Sequence, residues 1–310
     1  MYRNVFVLIV VAIICGCKSS DPSDPKVSSD VGINYSDHVS VTGKQVCSVI
    51  DKKLSCAGSN VMSGTLISLP EPPNSEGVEL VSVGSHHACE IVSDSVKCWG
   101  KNYNGELNSP LFFKPYIVAS GESFSCAAGS AGLDCWGYQG GSYCSDSSCS
   151  NMITINNPTS NPPLNNISDL SLSGFYGCAI SNGQGHCWGH ASYGQTSIPT
   201  LDNPTQITTG DYHACALTSN GVHCWGYGDL NKNIPQDFQP ISISAGRGFT
   251  CGIDSNSVKC WGEANVTGSI YGPPIFEQPL SNPISVSAGS DLVCIIDDQG
   301  QACYGDTSHL

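Results

Sequence analysis

The stretch Cys215-Ala216-Leu217-Thr218-Ser219-Asn220-Gly221-Val222-His223-Cys224-Trp225-Gly226 decides the fold. Asn220-Gly221 is a turn dipeptide flanked by short apolar-rich runs, so the segment reads as a β-hairpin. Folding about the Ser219-Asn220 centre sets residues whose numbers sum to 439 opposite each other, the two cysteines among them. With a two-residue loop this pair falls at a non-hydrogen-bonded site. Cα atoms approach to about 4.5 Å there, within disulfide reach. Such a bond closes a loop of about ten residues and contributes at most about 2–3 kcal/mol, less where the hairpin persists in the unfolded chain.

The same spacing recurs along the chain. Cys47 pairs with Cys56, Cys89 with Cys98, Cys126 with Cys135, Cys178 with Cys187, Cys215 with Cys224, Cys251 with Cys260 and Cys294 with Cys303, each nine positions apart. Their first cysteines follow one another at intervals of 42, 37, 52, 37, 36 and 43 residues. A β-rich run ending in Gly precedes the pair, as in Val81-Ser82-Val83-Gly84, Ile207-Thr208-Thr209-Gly210, Ile243-Ser244-Ala245-Gly246 and Val286-Ser287-Ala288-Gly289. Trp-Gly follows it at Trp99, Trp136, Trp188, Trp225 and Trp261, replaced by Tyr304-Gly305 in the last copy and Ala57-Gly58 in the first. Seven copies of one spacing mark a repeat architecture. Zinc sites use close pairs such as Cys-x2-Cys. Seven isolated two-thiolate sites would each lack ligands, so disulfides and an oxidising compartment are expected.

Composition agrees with an all-β chain. Among 310 residues only 12% are charged, while Gly 34 and Pro 18 supply turn makers. The net charge is −14 and arginine occurs only at Arg3 and Arg247. A nucleic-acid binder offsets phosphate charge with clustered Lys and Arg. The short run Lys52-Lys53 reads as solvated turn charge, so no nucleic-acid partner is expected.

The N-terminus carries an export signal. Arg3 precedes the apolar run Val5 to Ile14, too short for a bilayer core that takes about 20 helical residues. The following Ile14-Cys15-Gly16-Cys17 resembles the bacterial lipobox. That resemblance implies removal of residues 1–16 as a lipoprotein signal peptide and a diacylglyceryl group on Cys17, which would hold the chain to a membrane. Lys18 after the lipidated position resembles outer-membrane sorting in the bacterial cell envelope. Residues 17–36 are polar with two prolines and no apolar period, and read as a lipidated flexible tether. Residues 37–310 hold the repeats.

The pattern Gly210-Asp211-Tyr212-His213-Ala214-Cys215, hairpin, Trp225-Gly226 resembles the regulator of chromosome condensation repeat family. The family's tail motif is matched by Trp99-Gly100-Lys101-Asn102-Tyr103-Asn104-Gly105-Glu106-Leu107 and by Ser192-Tyr193-Gly194-Gln195. The resemblance covers about residues 39 to 310 and implies a seven-bladed β-propeller. Ring closure in that family often pairs strands from both chain ends, so residues near 31 to 41 are expected to complete the last blade. Stacked blades bury each other's faces, and the five tryptophans read as inter-blade core. His87, Phe124, Tyr176, His213, Phe249 and Leu292, two before each first cysteine, read as a structural ring.

Catalytic and metal chemistry finds little support. Sialidase-type propellers bind a carboxylate with an arginine triad, and only Arg247 remains after signal removal. No Gly-x-Ser-x-Gly elbow, His-Glu-x-x-His or phosphate loop occurs. Asp229-Leu230-Asn231-Lys232-Asn233 starts like a calcium loop, but Ile234 replaces its Gly and Pro240 its bidentate Glu. His86 with His87, and His186 with His190, read as framework and turn residues rather than metal ligands.

One irregularity lies in the third repeat, whose long tail holds Tyr138, Tyr143 and the additional pair of Cys144 and Cys149. It reads as a disulfide clip on a Gly/Ser loop, or as a pre-shaped contact loop anchored by Tyr138 and Tyr143. The expected function is therefore non-catalytic: an envelope-anchored lipoprotein, monomeric and without cofactor, whose loops at one propeller face hold a protein or a glycan. The family includes guanine-nucleotide exchange factors and secreted bacterial inhibitors, but exchange activity does not transfer to an exported chain. The alternative is a carbohydrate-binding or carbohydrate-acting surface protein. An acting one needs two close carboxylates at the channel mouth, and the acidic residues sit mostly in turns such as Asp254 and Asp297-Asp298.

Overall fold

A computed structural model describes residues 37–43, 45–62, 65–73, 76–111, 114–138, 141–144, 152–155, 163–228, 234–262 and 277–305, with side chains left out at 60–62, 65–67, 141–144 and 152–155. Its described residues contain no helix and form seven antiparallel blades and two further two-stranded hairpins, Asn60–Met62 with Thr65–Ile67 and Gly141–Cys144 with Met152–Ile155. The first strands of the blades are His38–Thr42, Val78–Val83, Ile117–Ser120, Ile167–Ser173, Gln206–Thr209, Ser242–Ala245 and Ser285–Ala288. Each pairs with a second strand, and the second with a third. In the fifth blade these are His213–Thr218 and Gly221–Gly226. The sixth blade adds a short fourth strand, Glu277–Pro279.

Every second and third strand form the hairpin read from the sequence. Cys215 faces Cys224 and Thr218 faces Gly221, which leaves Ser219-Asn220 as the loop. Gly221 takes φ 105°, a conformation that favours glycine, as do Gly132 and Gly300 at 110° and 112° after the equivalent loops. Each blade carries one disulfide across this hairpin. Cys47 is bonded to Cys56, Cys89 to Cys98, Cys126 to Cys135 and Cys178 to Cys187. Cys215 is bonded to Cys224, Cys251 to Cys260 and Cys294 to Cys303. Their Cα atoms stand 4.0–4.1 Å apart, as the non-hydrogen-bonded register expects. Cys17, Cys149 and the Cys144 side chain lie outside the described residues.

The core is divided among the junctions between blades. Seven hydrophobic clusters each join one blade to the next. The disulfide of one blade packs with the aromatic residue of the following one. Cys47 and Cys56 meet Trp99, Cys89 and Cys98 meet Trp136, and Cys126 and Cys135 meet Trp188. Cys178 and Cys187 meet Trp225, Cys215 and Cys224 meet Trp261, and Cys251 and Cys260 meet Tyr304. At the last junction Cys294 and Cys303 pack with Val39, Val41 and Val46 of the first blade. All five tryptophans are buried, as the inter-blade reading expects. Each stitch therefore also fills a seam.

First strands present an edge whose N–H groups lack a ladder partner on the channel side, and such groups must be satisfied. A hydroxyl from the preceding blade accepts from them. Ser40 Oγ accepts from Val83 N at 3.0 Å, Ser82 Oγ from Ser120 N at 2.9 Å, and Ser171 Oγ from Thr209 N at 3.0 Å. Thr208 Oγ1 accepts from Ala245 N, Ser244 Oγ from Ala288 N and Ser287 Oγ from Val41 N, each at 2.9 Å. Ala119 stands where the third blade would supply this hydroxyl.

Ring closure corrects an expectation. His38–Thr42 does not complete the last blade; it is the first strand of the first blade, with Ser40 opposite Cys47. Two residues separate it from Gln45–Ile50, so the chain must turn straight back into a hairpin. The last blade builds three strands of its own. The ring closes through the Ser287 and Ser285 hydroxyls and the apolar seam of Val39, Val41, Val46, Leu292 and Ile296.

A candidate interaction face at the channel mouth

Two sets of loops share one end of the propeller. Residues after Trp-Gly bond to the connection between first and second strands: Tyr138 N donates to Ser123 O at 2.8 Å, His190 N to Phe175 O at 2.9 Å and Tyr227 N to Tyr212 O at 2.9 Å. The hairpin tips lie at the other end.

Glycines bring this end together. A Cβ on Gly210 would sit 2.1 Å from Gly246 O, and one on Gly246 would sit 2.3 Å from Gly289 O. Only glycine permits such an approach of neighbouring backbones. At three junctions the residue after the repeat glycine donates to the next blade's glycine carbonyl: Ser85 N to Gly121 O and Arg247 N to Gly289 O at 3.3 Å, and Glu122 N to Gly174 O at 3.2 Å. Ser85, Glu122, Phe175, Asp211, Arg247 and Ser290 are thereby set around the mouth of a cavity of about 660 Å³.

This ring is the candidate site that sequence reasoning missed. Glu122, Asp211 and Asp291 had no visible relation as isolated loop carboxylates, yet all line the mouth. The available signal for Glu122 and Asp211 was the position after the repeat glycine, where the framework stops repeating itself; Asp291 stands one residue further on.

Asp211 accepts from Ser173 Oγ at 3.2 Å, and its Oδ2 lies 3.6 Å from Arg247 Nε. Its side chain is 41% exposed and lines the mouth. The surrounding protein raises its carboxyl above the usual range against the opposing pull of Arg247, and Asp291 raises it further. Burial, and then the charge of Asp211, raise Glu122. Burial lowers His190, whose Nε2 lies 2.8 Å from Ser192 Oγ.

Aromatic rings wall one side of the mouth. Tyr193 meets Tyr212 and Tyr227 edge-to-face, with ring centres 5.2 and 5.4 Å away. Tyr193 and Tyr227 remain 43% and 44% exposed. Tail motifs hold these rings. Gln195, fully buried, accepts from Tyr193 N at 2.8 Å, and its carbonyl accepts from Trp225 Nε1 at 2.7 Å. Glu106 does the same for Asn104 N and Trp136 Nε1, each at 2.7 Å.

Of the contact loop expected in the third repeat, Tyr138 is brought to this face, its ring 5.5 Å from Phe175. The Tyr143 side chain lies outside the described residues. The structural ring is buried: His87, Phe124, Tyr176, His213, Phe249 and Leu292 all face the interior. His87 Nε2 meets Ser125 Oγ at 2.7 Å, and His213 Nε2 meets Thr250 Oγ1 at 2.8 Å, both across a blade seam. Burial holds each of these imidazoles down to about 4. Their role is packing.

A family model described as the regulator of chromosome condensation (RCC1) repeat matches residues 205–231, which contain the fifth blade. The curated proteins hold no match to the chain. Among solved structures, the ectodomain of the Physcomitrella patens receptor kinase CR4 is similar at a TM-score of 0.60 and 27% identity, over 87% of this chain and 72% of that one. The CRINKLY WD40 ectodomain of the Arabidopsis thaliana receptor kinase ACR4 gives 0.58 and 21%, over 88% and 95%. Prp20p from Saccharomyces cerevisiae, whose binding to Gsp1p and histones has been described, gives 0.55 and 16%, over 74% and 72%. The shared feature is the propeller.

Proposed function

We propose that this chain of regulator of chromosome condensation repeats is a non-catalytic, lipid-anchored interaction module of the bacterial envelope that holds a protein partner at its channel mouth. One observation carries the reading. Cysteines, glycines and tryptophans recur from blade to blade, whereas the positions facing the mouth hold Ser85, Glu122, Phe175, Asp211, Arg247 and Ser290. A framework that repeats beneath a face that does not is the arrangement of a scaffold presenting recognition loops. Exposed tyrosines suit this role, because they bring large contact area at low entropic cost. That Prp20p binds Gsp1p and histones supports a protein as the class of partner.

The anchor reading rests on Ile14-Cys15-Gly16-Cys17 and makes a separate prediction. Globomycin should block processing of the native chain, and Cys17→Ser should yield a soluble form. That soluble form, used as bait on envelope extracts, should retain a partner that Tyr193→Ala with Tyr212→Ala releases. Deleting residues 139–149 tests the contribution of the third-repeat loop. Equal retention by every mouth variant would refute the face.

A second reading has one observation in its favour. Glu122 and Asp211 are two carboxyls of raised pKa beside aromatic rings, a combination that also suits sugars. Hydrolysis of a glycan panel that is lost on Glu122→Gln would favour it.

A further inference from the structure

The mouth is acidic. Glu122, Asp211 and Asp291 line it, and among the described lining residues Arg247 is the only lysine or arginine. The carboxylates act on one another, Asp211 raising Glu122 and Asp291 raising Asp211. Arg247 acts on both Asp211 and Asp291, but one guanidinium faces three carboxyls, and its Nε stands 3.6 Å from Asp211, beyond the roughly 2.7–2.9 Å of a charge-assisted hydrogen bond. Tyr193 and Tyr212 line the same mouth, packed edge-to-face on each other, and their electron-rich rings attract cations.

We infer that the mouth receives a cationic side chain, lysine or arginine, projected by the partner protein. This deepens the proposed partner-binding role and rests on it. An entering ammonium or guanidinium relieves the repulsion among three carboxylates and contacts the tyrosine wall. An entering carboxylate meets three like charges and a single guanidinium already shared by Tyr212, Asp211 and Asp291. A neutral sugar gains nothing from the charge. The net charge of −14 also steers a basic partner toward the molecule.

Arg247 makes the inference testable by sign. The equivalent positions of two other repeats hold Ser85 and Ser290, so Arg247→Ser introduces a side chain this ring already accommodates. Calorimetric titration of the soluble Cys17→Ser chain at low salt would use tri-lysine, tri-glutamate and chitotetraose as probes. Tri-lysine should bind best. Asp211→Asn and Glu122→Gln should each weaken it by about tenfold, equivalent to about 1.4 kcal/mol, and Arg247→Ser should tighten it. Asp298→Asn, on a hairpin tip at the opposite end, should leave it unchanged. Melting curves establish that each variant is folded. If Asp211→Asn melts early, the opposite signs of Glu122→Gln and Arg247→Ser decide the matter.

Preference for tri-glutamate or chitotetraose, a reversed sign, or an equal loss in Asp298→Asn overturns the inference. If the paired tyrosine substitutions release the envelope partner while the charge variants leave its capture and tri-lysine binding unaltered, the partner face stands and the cationic ligand falls.

Discussion

His213 couples the blade seams to acidity. It is 1% exposed and bonds to Thr250 across the junction between the fifth and sixth blades. Burial lowers its imidazole from 6.5 to about 4. In the unfolded chain it gains a proton as pH falls through 6.5, while in the folded chain it resists until about 4. The stability it contributes is therefore fully present above pH 6.5, drains between 6.5 and 4, and is gone below that range. A depression of this size corresponds to about 3 kcal/mol as an upper figure. The ring itself suggests the substitution. In the sixth blade the equivalent residue is Phe249, and it packs in one cluster with Val293 of the next blade, where His213 faces Thr250. His213→Phe alone leaves the Thr250 hydroxyl only the weak acceptor Cys215 Sγ, 3.3 Å away, and should cost about 1–3 kcal/mol at pH 8. His213→Phe with Thr250→Val reproduces the Phe249–Val293 seam and should recover most of that loss. Denaturant unfolding from pH 8 to pH 4 would compare the double variant with its parent. Carboxyl contributions are common to both and cancel in the difference. The double variant should lose less stability on acidification by up to about 3 kcal/mol. An unchanged difference at every pH, or a His213 resonance titrating near 6.5, would refute the reasoning.

Four further outcomes are expected. Asp169 accepts from Ile207 N at 2.6 Å in the seam between the fourth and fifth blades, and burial raises its carboxyl to about 6. A raised acid stabilises at low pH and costs stability as pH rises through about 6, so Asp169→Asn should stabilise by about 1–2 kcal/mol at pH 8, and not at pH 4, in denaturant melts. Trp261→Ala empties a side chain that is 1% exposed and should cost about 3–5 kcal/mol in the same assay. Peptide mapping of the unreduced protein should recover seven links of nine-residue separation, Cys89 to Cys98 and Cys294 to Cys303 among them, and none between blades. Replacing Cys215 and Cys224 together with alanine should cost more than the roughly 2–3 kcal/mol of loop closure, because this pair also packs on Trp261.

Much of the fold was legible because it is written locally. Nine positions between cysteines and a two-residue centre specify a hairpin register, and that register holds throughout the described second and third strands. Tryptophan after the second cysteine reads as core for the same reason. Ring closure was not legible. His38–Thr42 could serve either end of the ring by pattern alone, and the short connection to Gln45 settled it. The serines at 40, 82, 171, 244 and 287 looked like ordinary alternating polar residues. Their use became visible only when the next blade offered an N–H.

The amino-acid sequence alone determined the stitched hairpin, the number of its copies and the buried character of the tryptophans, since each depends on residues close along the chain. Tertiary structure alone decided which side chains share the mouth. Glu122, Asp211, Arg247 and Asp291 come from different blades, and only the curvature of a closed ring, with glycine at its tightest point, makes them neighbours. Their mutual charge, and whatever it attracts, is a property of that convergence.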